Sequence, residues 1–282
     1  MIKEINKIQT NNVDYLNLLD NHLSIQLSLD GFSFCVYNKI QKKIGVFEVY
    51  EFKEKKISPQ KHLELVKEIY ANHKILSLKY NSVSVAHFNN LVTQVPKAFF
   101  DKNKLPSYLQ YSVKLLEDDF ITYDTVLNTE IINVYVPFVN INNFMIDVYG
   151  TFFYKHSSTI LIENLLQQFK NTAEEICFVN VTKNQFEIII IHHNKLILYN
   201  CFDFTTKEDF IYYILFTAEQ LKLNPEKIKI QLMGDIKKES ELFTMLYQYI
   251  RNVSFYKPTT FPEILKDISK HSYFALLNQY KK

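Results

Sequence analysis

The sequence predicts an α/β protein of two similar lobes, each a mixed sheet with a βββαβαβ core and flanking helices. Three observations point there. Three short segments of alternating or continuous apolar residues begin near residue 23, a matching set begins near residue 176, and each set is followed by helical-period segments alternating with single strands.

Residues 23–29 (LSIQLSL) alternate apolar and polar, Asp30-Gly31 is a hairpin signal, and 32–38 and 43–52 continue as strands. Residues 58–72 read as a helix, with Ser58 as N-cap, Pro59 at the first helical position and Leu63, Val66, Ile69 and Tyr70 at apolar spacing. The stretch before residue 23 reads as a polar leader. Strands follow at 82–88 and 91–96, then a helix at 105–116, strands at 119–127 and 130–136, a helix at 138–149, a strand at 151–156 and a helix at 159–170.

The segment 176–204 (ICFVNVTKNQFEIIIIHHNKLILYNCFDF) registers with the first meander at a constant offset of 152 residues. At that offset Leu27-Ser28-Leu29 falls on Val179-Asn180-Val181, Phe34 on Phe186 and Lys43 on Lys195. Period-2 alternation makes any two meanders alike in polarity, but the shared gap lengths and the helix that follows at 207–223 favour an internal duplication. A strand at 228–233, a helix at 238–249, a strand at 252–257 and one or two short helices in 261–280 complete the chain. The expected division is a lobe at 1–156 with an insertion at about 91–128, a second lobe at 157–257, and a helical tail at 258–282.

Of 32 basic residues only Arg251 is arginine, and the formal net charge is +2. Arginine's planar fork is what grips phosphates and base edges, so nucleic acid is not an expected partner. MIKEINKIQT lacks the apolar core of a signal peptide, and the longest apolar stretch, Phe210 to Ala218, is far short of the ~20 residues that span a bilayer. A cytoplasmic protein without a transmembrane segment is expected. Cys35, Cys177 and Cys201 lie in apolar runs without CxxC spacing, as reduced structural thiols do.

The topology of a βββαβαβ lobe occurring twice, with a helix between the halves, resembles the actin-like ATPase fold, a duplicated ribonuclease-H-like architecture. The run VSVAHFNNLVTQVPKAFF, followed by IINVYVPFVNINNFMIDVYG and TFFYKHSSTILIENLL, is similar in element order to the type IV pilus assembly platform protein. An uncharacterised bacterial family with this fold is the suspected home of the chain. The resemblance implies ATP with Mg held by two Asp-x-Gly hairpins, one per lobe, and by a Gly-Gly turn near the adenosine. Glycine lets backbone N–H groups converge on phosphate oxygens, and the strand-end acid holds the metal or its water.

Carried onto this chain, the first pattern falls on Ser28-Leu29-Asp30, with Gly31 beyond it, so serine stands at the position of the acid. The second falls on Asn180-Val181-Thr182-Lys183, with neither acid nor glycine, and the adenosine turn on Met233-Gly234-Asp235, with one glycine of two. The expectation is therefore a vestigial or altered nucleotide site made of Ser28, Asp30, Gly31, Asn180, Thr182, Lys183, Gly234 and Asp235, with no catalytic residue and no metal. A degenerate ATPase homologue acting as a scaffold or binding protein for a protein partner is the preferred function. The alternative is an ATPase or kinase-like enzyme using the altered site.

Other constellations carry less. His192-His193 are adjacent in a strand and expected on opposite faces, which disfavours a shared ion. Asp118-Asp119 and Asp124 read as a solvated turn. No GxSxG, HExxH, Walker or GxGxxG pattern occurs. The helix 207–223 is apolar almost all round, as in a helix buried on several sides or meeting a partner.

Overall fold

The computed structural model describes residues 1–9, 20–54, 57–259, 262 and 265–280. The chain forms two compact units, Met1–Leu161 with Pro262–Leu265 and Ala275–Lys282, and Ile162–Phe261 with Lys266–Phe274.

In the first unit β1 (Ile2–Gln9), β2 (Asn21–Ser28), β3 (Gly31–Asn38) and β4 (Lys43–Phe52) precede α1 (Pro59–Asn72), β5 (Ser82–Phe88) and β6 (Val92–Pro96). Then come α2 (Leu105–Leu109), β7 (Thr122–Thr125), β8 (Ile131–Tyr135), α3 (Val139–Tyr149), β9 (Phe153–His156) and α4 (Ser157–Gln168), along which the chain leaves the unit. The main sheet runs β1-β4-β3-β2-β5-β9, with β5 and β9 parallel to β2. Leu23, Ile25, Leu27, Phe32, Phe34 and Val46 on one face pack with α1 and α3 through Val66, Ile69, Ile141 and Met145. Ser58 caps α1 by accepting from the Lys61 N–H at 3.2 Å, and Pro59 opens the helix where its missing N–H costs nothing.

A separate antiparallel sheet, β6-β8-β7, has its own small core of Val95, Leu109, Ile132, Val134 and Val136. The helix expected over 105–116 stops at Leu109; in the turn that follows, the Leu109 carbonyl accepts from Ser112 and Val113, and Val113 and Leu115 pack against this core.

The second unit holds β10 (Ile176–Val181), β11 (Gln185–His192), β12 (Lys195–Asp203), α5 (Lys207–Gln220), β13 (Lys229–Gly234), α6 (Glu241–Tyr249) and β14 (Asn252–Phe255). Its sheet runs β12-β11-β10-β13-β14. Thr206 and Asp209 form a reciprocal capping box at the start of α5. A short α7 (Phe274–Asn278) lies near the C-terminus.

Both main sheets share one order, with the first strand of the meander central, its second and third strands to one side and the two later strands to the other. They share a finer mark as well. In each, the third strand slips by one residue against the second: Val36 pairs with Val46 but Tyr37 with Ile44, and Ile190 pairs with Leu198 but Ile191 with Leu196. A bulge at the same place in both meanders is a detail that polarity matching cannot produce.

Two expectations need correction. The polar leader contains a strand: β1 pairs antiparallel along β4, hidden in the sequence because its lysines and Glu4 interrupt the apolar alternation. The offset is also not constant. Ser28 pairs with Gly31 across the first hairpin, and Thr182 bonds to Gln185 across the second, so β2 and β3 match β10 and β11 at 154 residues, whereas β4 and β12 match at 152. The difference is absorbed after the second strand, where Asn38 and Lys43 flank a longer loop than His192 and Lys195 do. Gap lengths are thus not shared, and Phe32, not Phe34, is the counterpart of Phe186.

Candidate functional site

The three turns that the sequence singles out can be built up one at a time. At the end of β2 the Ser28 hydroxyl lies 2.6 Å from Asp30 Oδ1 and 3.3 Å from the Gly31 carbonyl oxygen. Asp30 also accepts the Phe52 N–H at its backbone carbonyl, at 2.8 Å. Gly31 is required by the neighbouring strand: a Cβ there would stand 2.7 Å from the Tyr50 carbonyl oxygen. Serine, acid and glycine therefore close the hairpin on itself.

With the corrected offset, Thr182 takes the place of Ser28. Its hydroxyl donates to the Gln185 carbonyl at 2.9 Å, while Lys183 and Asn184 form the exposed tip. Asn180 lies two residues further into the strand than the constant offset implied, and it faces a different task. Its Nδ2 donates to Glu187 Oε2 at 2.7 Å, and the Tyr199 hydroxyl donates to Glu187 Oε1 at 2.8 Å. Glu187 is buried, and desolvation pushes its carboxyl up to about 7 despite those two donors. The signal that could have found it is a single acid inside FEIIIIH, where a charge is out of keeping with a buried strand.

Gly234 ends β13 opposite Val181, in a left-handed conformation at φ 81°, and a side chain there would overlap the Val181 carbonyl oxygen and meet Asn180 Oδ1. The Gly234 N–H donates to the His271 carbonyl at 2.9 Å, and its own carbonyl accepts from the Ser272 hydroxyl at 3.0 Å. The His271 imidazole bonds the Ile236 carbonyl at 2.8 Å. The Asp235 N–H donates to the Val181 carbonyl at 2.7 Å, and its side chain is exposed. A segment that the sequence offered only as tail thus covers both backbone polar groups of the one glycine in the adenosine-type turn.

Within each unit, then, these turns do not fit a Mg-nucleotide as the resembling ATPases hold it. Neither strand end carries an acid, the strand-end hydroxyls bond to their own hairpins, and the Gly234 amide is taken.

Buried polar chemistry gathers elsewhere in the first unit. Asp124, expected on a solvated turn, is 8% exposed and accepts from the Tyr135 hydroxyl at 3.2 Å, the His156 N–H at 2.8 Å and the Thr159 hydroxyl at 2.7 Å. Desolvation raises its pKa against those bonds. His156, wholly buried, bonds Ser158 Oγ at 2.7 Å and the Asn89 carbonyl at 3.1 Å, and burial lowers its imidazole to about 3. Ser158 and Thr159 are themselves fully buried, so this Asp-His-Ser grouping has no face open to a substrate and serves to join β7 and β8 to the start of α4.

His192 and His193 lie with rings 4.2 Å apart rather than on opposite faces, because His193 has left the strand for a turn at φ 46°. No group of three metal-ligating side chains forms among the described residues. Cys35 and Cys177 are buried free thiols, pushed up to about 12 by desolvation. No helix among the described residues is long and apolar enough to cross a membrane.

Two ribonuclease-H-like sheets of one order and one shared bulge define a protein of the actin-like ATPase fold. Solved structures agree. The chain is similar to a Bacteroides thetaiotaomicron protein with actin-like ATPase fold and unknown function, at TM-score 0.79 and 23% identity over 86% of this chain and 93% of that one. It is also similar to the PilM-PilN type IV pilus biogenesis complex, at TM-score 0.59 and 10% identity over 91% of this chain and 96% of that one. Residues 10–253 match the family described as protein of unknown function DUF3822, and the chain belongs to that family. No curated protein matches the sequence.

Proposed function

We propose that this protein is a non-catalytic member of the actin-like fold, a scaffold or binding protein for a protein partner in the cytoplasm. In this reading Ser28, Asp30, Gly31, Asn180, Thr182, Lys183, Gly234 and Asp235 are the vestige of a nucleotide site. The lobes are 1–156, with its insertion at 91–128, and 157–257, with a tail at 258–282. The observation that carries the reading is the internal use of the turns: the Ser28 and Thr182 hydroxyls close their own hairpins, and His271 and Ser272 take both backbone groups of Gly234. A phosphate-cradling turn works only while its donors face the ligand. The likeness to a pilus biogenesis complex of two proteins favours a role in an assembly, as fold-level analogy.

The test is calorimetric titration of the full chain with Mg-ATP, paired with a phosphate-release assay. Neither heat of binding nor phosphate release is expected. Saturable binding with turnover would overturn the reading in favour of an enzyme with an altered site.

A further inference from the structure

We propose that Ser82 is a modification site, a serine whose hydroxyl is prepared by His22 to take an acyl group from an activated ester. The two meet where β2 and β5 run side by side, with His22 in register with Ser82, at the far end of β2 from Ser28. The grouping is independent of the nucleotide turns. Nor does the fold demand it, since the corresponding pair in the second unit is Ile176 and Lys229. His22 is 6% exposed, whereas Ser82 is half-buried and Lys39 beside it is exposed.

The hydrogen bonds around His22 run in one direction. Gln279 Nε2 donates to the Ile25 carbonyl at 3.0 Å, which turns Gln279 Oε1 toward the Ser84 hydroxyl, its donor at 2.7 Å. With its proton so used, Ser84 Oγ accepts from His22 Nε2, 2.8 Å away. Burial first and Lys39 second hold the imidazole neutral, so His22 Nδ1 carries no proton and accepts from the Ser82 hydroxyl at 2.7 Å. Lys39 Nζ donates to Ser82 Oγ at 3.0 Å, and the Lys39 backbone is fixed by its N–H on the Asp20 carbonyl at 2.9 Å. A nucleophile, a base within reach of its proton and a third group that sets the base's tautomer are the parts that activation of a serine needs.

In the transfer, Ser82 Oγ bonds the acyl carbon, its proton passes to His22 Nδ1, and the leaving alcohol takes that proton as the ester C–O bond breaks. Lys39, already against Oγ, faces the charge that builds on the adjoining carbonyl oxygen. Ser84 and Gln279 touch no reacting atom and act as positioning residues for the imidazole. Access is open at the start of β5, because β9 pairs with that strand only from Ser84 onward. On the other side of His22 its β3 partner Tyr37 stacks on Tyr280 at 3.8 Å, and the two partly exposed rings give an apolar wall for the acyl group.

Treatment of the full chain with a fluorophosphonate and, separately, with p-nitrophenyl acetate, each followed by peptide mass mapping, tests the assignment. A phosphonyl group on Ser82, with fluoride leaving, and an acetyl ester on the same residue are expected. His22→Gln should slow labelling of Ser82 by about a hundredfold. Ser84→Ala should slow it as well, and Ser84→Thr, which keeps the hydroxyl, should restore it, with circular dichroism as the check on folding. Wild-type protein that stays unlabelled at Ser82, or is labelled there no faster than at its other serines, would overturn the proposal, as would a folded His22→Gln chain labelled at the wild-type rate.

Discussion

Ser28 and Thr182 both turn their hydroxyl into their own hairpin. Each stands at the end of the central strand of its sheet; the Ser28 proton goes to Asp30 Oδ1 at 2.6 Å, with the Gly31 carbonyl oxygen 3.3 Å away, and the Thr182 proton goes to the Gln185 carbonyl at 2.9 Å. A hydroxyl can close a hairpin this way, whereas an ionised carboxylate, having only acceptors, cannot. Replacing Thr182 by Ala should therefore lower stability by about 0.5–1.5 kcal/mol, and Thr182→Ser should restore most of it, read from urea midpoints. Ser28→Ala should cost a similar amount, because Asp30 Oδ1 loses the Ser28 hydroxyl as donor.

Much of this was legible in the sequence, and what was not failed for physical reasons. The meanders, the N-cap at Ser58 and the helix after Thr206 follow from period and capping chemistry, which are local. A two-residue slip leaves every inward-facing position facing inward, so polarity cannot distinguish Asn180 from Thr182 as the counterpart of Ser28. Asp124 reads as a surface acid because nothing local announces that Tyr135, His156 and Thr159 surround it. The engagement of Gly234 by His271 and Ser272 is a contact distant in sequence between residues without any motif.

Gly234 supplies the sharpest steric prediction. A methyl group there would overlap the Val181 carbonyl and would sit on backbone at φ 81°, whereas at Gly31 the conflict is a single contact at 2.7 Å with the Tyr50 carbonyl. Gly234→Ala should cost at least about 3 kcal/mol and exceed the loss in Gly31→Ala. Equal midpoints for the two variants in chemical denaturation would contradict the backbone approach described for β13.

Protonation of buried groups sets two opposed pH slopes. His22 and His62, lowered to about 4, and His87 and His156, lowered to about 3, are held neutral by burial, so the unfolded chain binds protons more readily below about pH 6.5. Stability contributed by these four rises with pH from their folded values to about 6.5. Glu187 works the other way. Its carboxyl, raised to about 7, keeps its proton in the folded chain after the unfolded chain has released it, so its contribution is full below about 4.5 and is lost as pH rises to about 7. Glu187→Gln should therefore steepen the gain in stability between pH 5 and 7, and its urea midpoint relative to wild type should be higher at pH 8 than at pH 4.

Asp124 organises a network with three donors and should be among the least replaceable polar residues. Asp124→Ala would leave the Tyr135 hydroxyl, the His156 amide and the Thr159 hydroxyl without their acceptor, a loss of about 3 kcal/mol or more. Thermal unfolding followed by circular dichroism gives the measure, and a change within that of a surface substitution would show that the three donors find other partners.

The C-terminal segment allows the two meanings of a filled turn to be told apart: completion of a degenerate structure, or cover over a working one. A chain ending at Lys270 frees the Gly234 N–H and carbonyl, and it also removes Phe274 from its contact with Tyr256 and Gln279 from its bonds to Ser84 and the Ile25 carbonyl. Its stability should fall, and Ser272→Ala in the full chain should reproduce a small part of that fall, about 1 kcal/mol. Mg-ATP should raise the melting temperature of neither, because Ser28 and Thr182 still close both hairpins. If the shortened chain or Ser272→Ala gained a nucleotide-dependent shift while wild type showed none, the segment would be a cover, and the strand-end hydroxyls would be part of a functioning site.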